Sequence, residues 1–537
     1  MRGVNKGNAA RILQFSDDLL TRMLLHHTFE STAAEQAAHR AIVREGVSTT
    51  YAEIAERVEG IAAALRADGV QRGERVALFL DNCVEMVAAI YAVLKIGAVF
   101  MPINTLTKAD KLAYILNDAE ACALLTQQEL AETSRAALAQ NHSVRQCYML
   151  TAYAQGKPDP GPRDVRERPF PAALPQAPCS PTHPELIDQD LAAIIYTSGS
   201  TGDAKGVMLT HLNMRTALCS VRSYLGLRQN DIIVCALPLA FDYGLYQVLM
   251  AFSLGATVLL ERSFTFPVKV LANMAQERAT VFAGVPTMFT LLTQLKSLGE
   301  FDLSALRLIT NTAAALPQTQ IAQIRALFPQ ATLFSMYGLT ECKRVSYLPP
   351  EQLDLRPGSV GRGMPNEEVW LVDDEGRRLP NGSTGELVIR GSHVMRGYWR
   401  KPEQTAQRLR PGPIAGEMVL YSGDLFRTDD EGWLYFVARR DDIIKTRGEK
   451  VSPREVENVL YALDGVLEAA VIGVDDALLG QAVKAFVVCK PGHTLTEREV
   501  IKHCLAHIEN FMAPKYVEFV DTLPRTETGK IKKTGLR

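Results

Sequence analysis

Residues 75–102 constrain this chain most. They read RVALFL, then a helical stretch over 81–96, then AVFMP. A short apolar run after Gly73 reads as a buried strand, the middle stretch has apolar residues at helical spacing, and 98–102 reads as a second buried strand. Consecutive strand, helix and strand of this kind form a parallel α/β unit, because parallel neighbours need a crossover long enough to hold a helix. The alternation resumes with strands predicted at 191–196, 232–237, 256–260, 280–285 and 306–310. Upstream, residues 50–66 read as a helix with Thr50 as N-cap and Glu53 at the capping-box position.

Nine of the 27 prolines fall between Pro158 and Pro184, which excludes regular helix or central strand there and predicts an extended surface connection between two subdomains. From Val369 onward, short runs such as VWLVD, GELVIRG and GWLYFVARRDD alternate with Gly, Asp and Asn turns, the texture of a β-rich segment. The last hundred or so residues return to mixed α/β, with helices from Pro453 and Thr496 and strands at 469–473 and 482–489. With 537 residues, the chain divides into several units. The expectation is an α/β protein: a large N-terminal domain over residues 1–440, made of two α/β subdomains plus a β-rich subdomain, and a small, mobile α+β C-terminal domain over 441–537.

A net charge of −2 offers no basic excess for a nucleic-acid partner. Nine scattered cysteines with no CxxC pair suit reduced thiols and a cytoplasmic location rather than disulfides or a zinc site. The first twenty or so residues lack a signal-peptide apolar core. The most apolar stretch, 86–102, is interrupted by Lys95 and Gly97 and is too short to span a bilayer, so no membrane span is expected.

The strongest local signal is YTSGSTGDAKGVMLTH, residues 196–211. An apolar strand enters a loop of glycines and hydroxyls closed by Lys205. Glycines let backbone N–H groups approach phosphate oxygens, and Thr197, Ser198, Ser200 and Thr201 add donors. Gly199 and Gly202 complete this polyphosphate cradle. The Walker A pattern fails, because Gly follows Lys205 and Ala204 stands where its second Gly belongs.

This loop resembles the phosphate loop of the AMP-forming adenylating superfamily, which holds acyl-CoA synthetases, adenylation domains and luciferases. That family's pattern is T-S-G-[ST]-T-G-x-P-K-G; here Ala204 replaces the proline. Three further motifs follow in the family's order, and the resemblance runs from about Ala41 to the C-terminus. In MYGLTE, residues 336–341, it implies that Tyr337 lies beside adenine, Thr340 binds the α-phosphate and Glu341 holds Mg²⁺. Ala313 and Ala314, in NTAAAL, occupy the place of the adenine-binding segment, although Asn311 and Thr312 depart from its pattern. In YSGDL and the following GWLYFVARRDD, Asp424 resembles the carboxylate that accepts both ribose hydroxyls, and Arg439 the basic residue that also reaches the ribose. Asp441 sits at the family's hinge, Gly448 resembles the glycine lining the pantetheine tunnel, and Lys450 stands where some members carry a phosphate-binding Arg. In PRTETGKIKK, Lys530 matches the catalytic lysine.

The resemblance implies an ATP- and Mg²⁺-dependent ligase. A carboxylic acid attacks ATP to give acyl-AMP and pyrophosphate, then a thiol displaces AMP. No general base is required, because the nucleophile is already ionised at neutral pH. The thiol is CoA or, alternatively, the phosphopantetheine of a separate acyl carrier protein loaded by a free-standing adenylation enzyme. Intact Lys205, Glu341, Asp424 and Lys530 argue against a non-catalytic binding module. The acyl pocket is expected to include Asp242, Tyr243, Tyr246, Gly284, Met336 and Arg344. Two roles stay open for Asp242: pairing with a substrate ammonium, or capping the helix that follows. Arg344 pairs either with Asp242 or with an acidic substrate. The acid is fatty, aryl or amino.

Overall fold

In the computed structural model, residues 24–151, 164–171, 186–197, 204–312, 316, 318–446, 449–476, 479–526, 531–533 and 535–536 are described, with the side chains at 441, 445, 449, 450 and 480 left out. Apolar alternation produces what it predicts. Strand Arg75–Phe79, helix Val84–Lys95 and strand Val99–Pro102 form a parallel unit. The helix begins at Val84 rather than at 81, where the Cys83 sulfur accepts the Met86 N–H. Helix Tyr51–Ala67 starts where expected, with Thr50 and Glu53 capping each other's backbone.

Two sheets carry the large N-terminal part. One runs parallel through Leu191–Thr197, Val99–Pro102, Arg75–Phe79, Ala121–Gln127 and Gln146–Leu150. Its far edge is Glu167–Pro169, a short strand inside the proline-rich stretch. A proline is tolerated there because an edge strand has one unpaired side. At its other edge, Lys205–Thr210 folds back antiparallel on Leu191–Thr197, and Gly397–Tyr398 adds to that hairpin.

The second sheet is longer. Its parallel half orders Arg40–Arg44, Thr257–Leu260, Ile232–Cys235, Val281–Gly284, Leu308–Asn311 and Thr332–Tyr337 side by side. From Thr332–Tyr337 it turns antiparallel through Ser346–Leu348 and Ser359–Gly363 into the β-rich segment Leu434–Arg439, Met418–Thr428, Thr384–Gly391 and Glu367–Val372. Helices Leu25–Glu35, Tyr51–Ala67, Val84–Lys95 and Asp242–Phe252 meet around Phe29, Tyr51, Tyr91 and Phe252, whose rings contact one another in full burial. Each such ring contributes roughly 2–3 kcal/mol by leaving water.

The C-terminal part forms a third sheet, Glu449–Val451, Ile444–Thr446, Gly480–Cys489 and Val466–Asp476, with Tyr516–Phe519 pairing Gly480–Cys489. Helices Pro453–Ala462 and Glu497–His507 complete it. Its core, including Val456, Leu460, Val471, Val500 and Cys504, is separate from that of the large part. Among the described residues, no helix is long and apolar enough to cross a membrane.

Candidate active site

Parallel α/β sheets place binding loops at the carboxyl ends of their strands. Here Leu191–Thr197 leads toward Lys205 and Thr332–Tyr337 leads into Gly338–Glu341. Both ends open on a cleft of about 1900 Å³ that is also lined by Asp242, Met336, Asp424 and Arg439, and by Lys532 and Lys533 of the C-terminal part. The MYGLTE turn is tight. Lys343 and Val345 donate backbone N–H groups to Leu339 and Tyr337 at 2.7 and 2.9 Å, and a Cβ on Gly338 would meet the Lys343 carbonyl at 2.4 Å. Only glycine fits that approach.

Asp424 is buried between two donors. The Tyr337 hydroxyl reaches its Oδ2 at 2.5 Å, and Arg439, its cross-strand neighbour, brings Nε to 3.9 Å from Oδ1. Burial pushes the Asp424 carboxyl above its ordinary value, opposed by the Arg439 charge and the Tyr337 hydrogen bond. The turn before it depends on glycine. Gly423 has φ +73° and donates its N–H to Glu386 Oε1 at 2.9 Å, while Arg440 holds the other Glu386 oxygen at 2.8 Å. Ser422 Oγ accepts the Asp424 N–H at 3.1 Å.

Glu341 Oε1 accepts the Tyr398 hydroxyl at 2.7 Å, and the Glu341 carbonyl accepts the Met395 N–H at the same distance. Lys205 Nζ lies 5.6 Å from the centre of the Tyr398 ring. One aromatic side chain therefore joins the Glu341 loop to the Lys205 end of the antiparallel hairpin. Trp399 N–H also binds the Gly206 carbonyl at 2.7 Å, and a Cβ on Gly206 would meet Ile194 Cγ2 at 2.7 Å. Tyr196 anchors the hairpin's other strand by donating to Asp118 at 2.5 Å. Glu341 Oε2 has no protein partner among the described residues, and Glu341 and Thr340 both line the cleft. A carboxylate oxygen beside a hydroxyl is a donor set that suits Mg²⁺ held jointly with phosphate.

On the acyl side, Asp242 and Met336 line the cleft, whereas Tyr243, Tyr246, Gly284 and Arg344 are buried and do not. Tyr243 donates to the Thr310 carbonyl at 2.8 Å, Tyr246 to the Met214 carbonyl at 3.1 Å, and Tyr224 to Met336 Sδ at 3.0 Å. A Cβ on Gly284 would meet the Phe289 ring at 2.6 Å. Asp242 is not the helix cap. Phe241 is, and the Asp242 carboxylate sits one position inside the first turn without a capping bond. Asp242 and Arg344 make no ion pair; Arg344 instead lies over the Tyr243 ring, 5.0 Å from its centre. Beside it, burial pulls the Lys343 ammonium down to about 8, against the opposing field of Asp242.

The structure thus brings together Thr197, Lys205, Tyr337, Thr340, Glu341, Asp424 and Arg439 on one cleft, with Asp242 and Met336 beside them. Ser198, Gly199, Ser200, Thr201, Gly202, Ala313, Ala314, Gly448 and Lys530 lie outside the described residues, as do the side chains of Asp441 and Lys450. Sequence reading missed Tyr398, Glu386 and Lys343. The signal for Tyr398 was the RGYW run at 396–399, where a Gly–aromatic pair marks close backbone approach; nothing local marked Glu386.

A family model described as AMP-binding enzyme matches residues 29–399, and one described as AMP-binding enzyme C-terminal domain matches 455–530. The long-chain-fatty-acid–CoA ligase of Escherichia coli O6:H1 is 33% identical over 533 residues, covering 95% of this chain and 93% of that protein. The feruloyl-CoA synthase of an Amycolatopsis species is 34% identical over 507 residues, covering 94% and 96%. The ATP-bound structure of MatB from Rhodopseudomonas palustris has a TM-score of 0.84 at 30% identity, covering 96% of this chain and 98% of that one. Near-complete coverage at these identities, on a fold whose cleft gathers the ordered motifs, places this chain in the AMP-binding enzyme family, the AMP-forming adenylating superfamily.

Proposed function

We propose that the protein is a carboxylic acid–CoA ligase working through an acyl-adenylate. One observation carries this reading: the Tyr337–Asp424–Arg439 set and the Lys205–Tyr398–Glu341 set adjoin a single cleft. A buried carboxylate can accept two hydroxyl hydrogen bonds at once, which suits a ribose. Lys205 and the loop it closes suit the β- and γ-phosphates, and Thr340 the α-phosphate. Glu341 and Thr340 hold Mg²⁺ in this reading, and the ion neutralises phosphate charge. CoA is the preferred acceptor because the similar proteins above include one named as a fatty-acid–CoA ligase and one named as a feruloyl-CoA synthase.

In the first half-reaction, an oxygen of the acid's carboxylate bonds to the α-phosphorus and the bond to the bridging oxygen of pyrophosphate breaks. Lys205, and Lys530 from the C-terminal part, offset the charge that builds on the equatorial oxygens. In the second, the thiol sulfur bonds to the acyl carbon, AMP leaves with the electron pair, and the thiol proton passes to solvent. Asp441 serves as the hinge between the halves, Gly448 lines the thiol path, and Lys450 contacts phosphate.

The test is pyrophosphate exchange across fatty, aryl and amino acids, followed by thioester formation with CoA or with a holo carrier protein. Exchange with at least one acid and a CoA thioester are expected. A thioester formed only on the carrier protein reassigns the acceptor, and exchange with no acid removes the adenylation reading.

A further inference from the structure

Arg408 closes helix Pro402–Arg408 and lies outside the four motifs. It lines the cleft together with Thr340, Glu341, Tyr398, Gly423 and Asp424. Two contacts fix its guanidinium there. Nη1 donates to the Tyr421 carbonyl at 3.3 Å, and the same nitrogen stands over Gly423, where a Cβ would collide with it. Position 423 thus needs glycine twice, for its φ of +73° and for the room it leaves Arg408. The side chain also reaches the Tyr398 hydroxyl, which holds Glu341 Oε1 at 2.7 Å.

The helix that carries Arg408 is pinned from both sides. Thr405, three residues earlier and on the same face, accepts the Tyr398 N–H at 2.9 Å and donates to the Lys401 carbonyl at 2.8 Å. The next residue, Leu409, is buried and pairs with Leu420. The guanidinium is therefore held between the turn that presents Asp424 and the tyrosine that joins Glu341 to Lys205, and its charge bears on Asp424 and Tyr398 alike. Asp424 takes its hydrogen bond from Tyr337 and has Arg439 as its cross-strand cation, while Arg408 forms no ion pair among the described residues. A guanidinium has more N–H groups than these acceptors use, so donors remain for a ligand in the cleft.

We infer that Arg408 binds the α-phosphate of the nucleotide. The inference rests on the reading that this cleft holds ATP, with the ribose on Asp424 and Mg²⁺ at Glu341. The α-phosphate is the one attached to the ribose and, in that reading, it faces Thr340. It therefore lies between the Asp424 turn and the Tyr398–Glu341 pair, which is where the Arg408 guanidinium stands. Thr340 gives the phosphate a hydroxyl; Arg408 gives it a charge and a planar fork that matches two phosphate oxygens at once. Charge that builds on those oxygens as the acid attacks is then offset by Arg408 as well as by Lys205 and Lys530.

Calorimetric binding of AMP and of adenosine to the full-length enzyme separates a phosphate contact from support of the Asp424 turn, because adenosine has the ribose without the phosphate. Arg408→Gln is expected to weaken AMP binding by about 10-fold or more and adenosine binding by less than about 2-fold. Equal loss for both ligands makes Arg408 a support of the turn alone and overturns the inference. A variant that binds both as the wild type does overturns it too. A wild type that binds neither ligand overturns the inference together with the nucleotide reading, so the two failures are distinguishable. Should Arg408→Gln fail to fold, Arg408→Lys, which keeps the charge without the fork, carries the same comparison. A loss for AMP that exceeds the loss for adenosine is expected there, and equal or absent loss overturns the inference.

Discussion

At the scale of the residue, the Tyr337 hydroxyl is the contact through which the proposed ribose site is tested most directly. It donates at 2.5 Å to a carboxylate that burial already disfavours in its charged form. A hydrogen bond to a charged group contributes about 1.5–3 kcal/mol. Tyr337→Phe is therefore expected to lower stability by about 1.5–3 kcal/mol and to raise KM for ATP by roughly 10-fold or more; an unaltered KM would show that the Tyr337 bond does not set Asp424 for the ribose. Tyr398→Phe tests a different bond. It frees Glu341 Oε1 while keeping the ring beside Lys205. A Mg²⁺ titration of the adenylation rate is expected to shift by roughly 10-fold to higher concentration. A lowered maximal rate with an unshifted titration would show that Tyr398 orients the loop without serving the ion.

At the scale of the element, helix Leu25–Glu35 has a tertiary cap. Its first N–H, that of Leu25, donates to Nδ1 of His211 at 3.0 Å. Burial holds the His211 imidazole down to about 4, and His26 beside it lies well below its ordinary 6.5. The unfolded chain therefore binds these protons at higher pH than the folded chain does. The stability contributed by these two histidines is level above about pH 6.5 and falls as pH drops toward 4, by up to about 1.4 kcal/mol per pH unit for each. Denaturant midpoints at pH 7 and pH 5 measure this, and His211→Gln, which keeps an acceptor without the titration, is expected to flatten the slope. Capping boxes such as Thr50–Glu53 were legible in sequence because both partners lie within one turn. The His211 cap was not, because 186 residues separate donor and acceptor. Asp242 shows the converse: a residue type that favours caps sits one position inside the helix, because Phe241 already has the extended backbone a cap needs.

At the scale of the whole molecule, the proposed reaction draws on two parts with separate cores, and the proposed catalytic Lys530 lies in the C-terminal sequence. Lys530→Ala is expected to slow adenylation by about 100-fold or more while leaving thioester formation from supplied acyl-AMP nearly intact. Equal loss in both half-reactions would remove the lysine from its assigned role. The two α/β subdomains, the β-rich segment and the mixed C-terminal part were readable because periodicity is local. Strand order was not. Arg40–Arg44 pairs with Thr257–Leu260, and the parallel sheet continues into the β-rich segment through Ser346–Leu348, connections that local spacing does not encode.

The sequence by itself determined the fold class, the family and the four ordered motifs, because glycine-rich turns, capping residues and strand periods act over a few neighbours. Tertiary structure alone decided what those motifs face. It brought Tyr398 onto Glu341, set Tyr337 and Arg439 on opposite oxygens of Asp424, and buried Lys343 Nζ and Arg344 Nε without a hydrogen-bond partner among the described residues. Each is a contact between segments far apart in the chain or a desolvation set by the packed surroundings, and burial cost depends on everything around a charge rather than on the residues beside it in sequence.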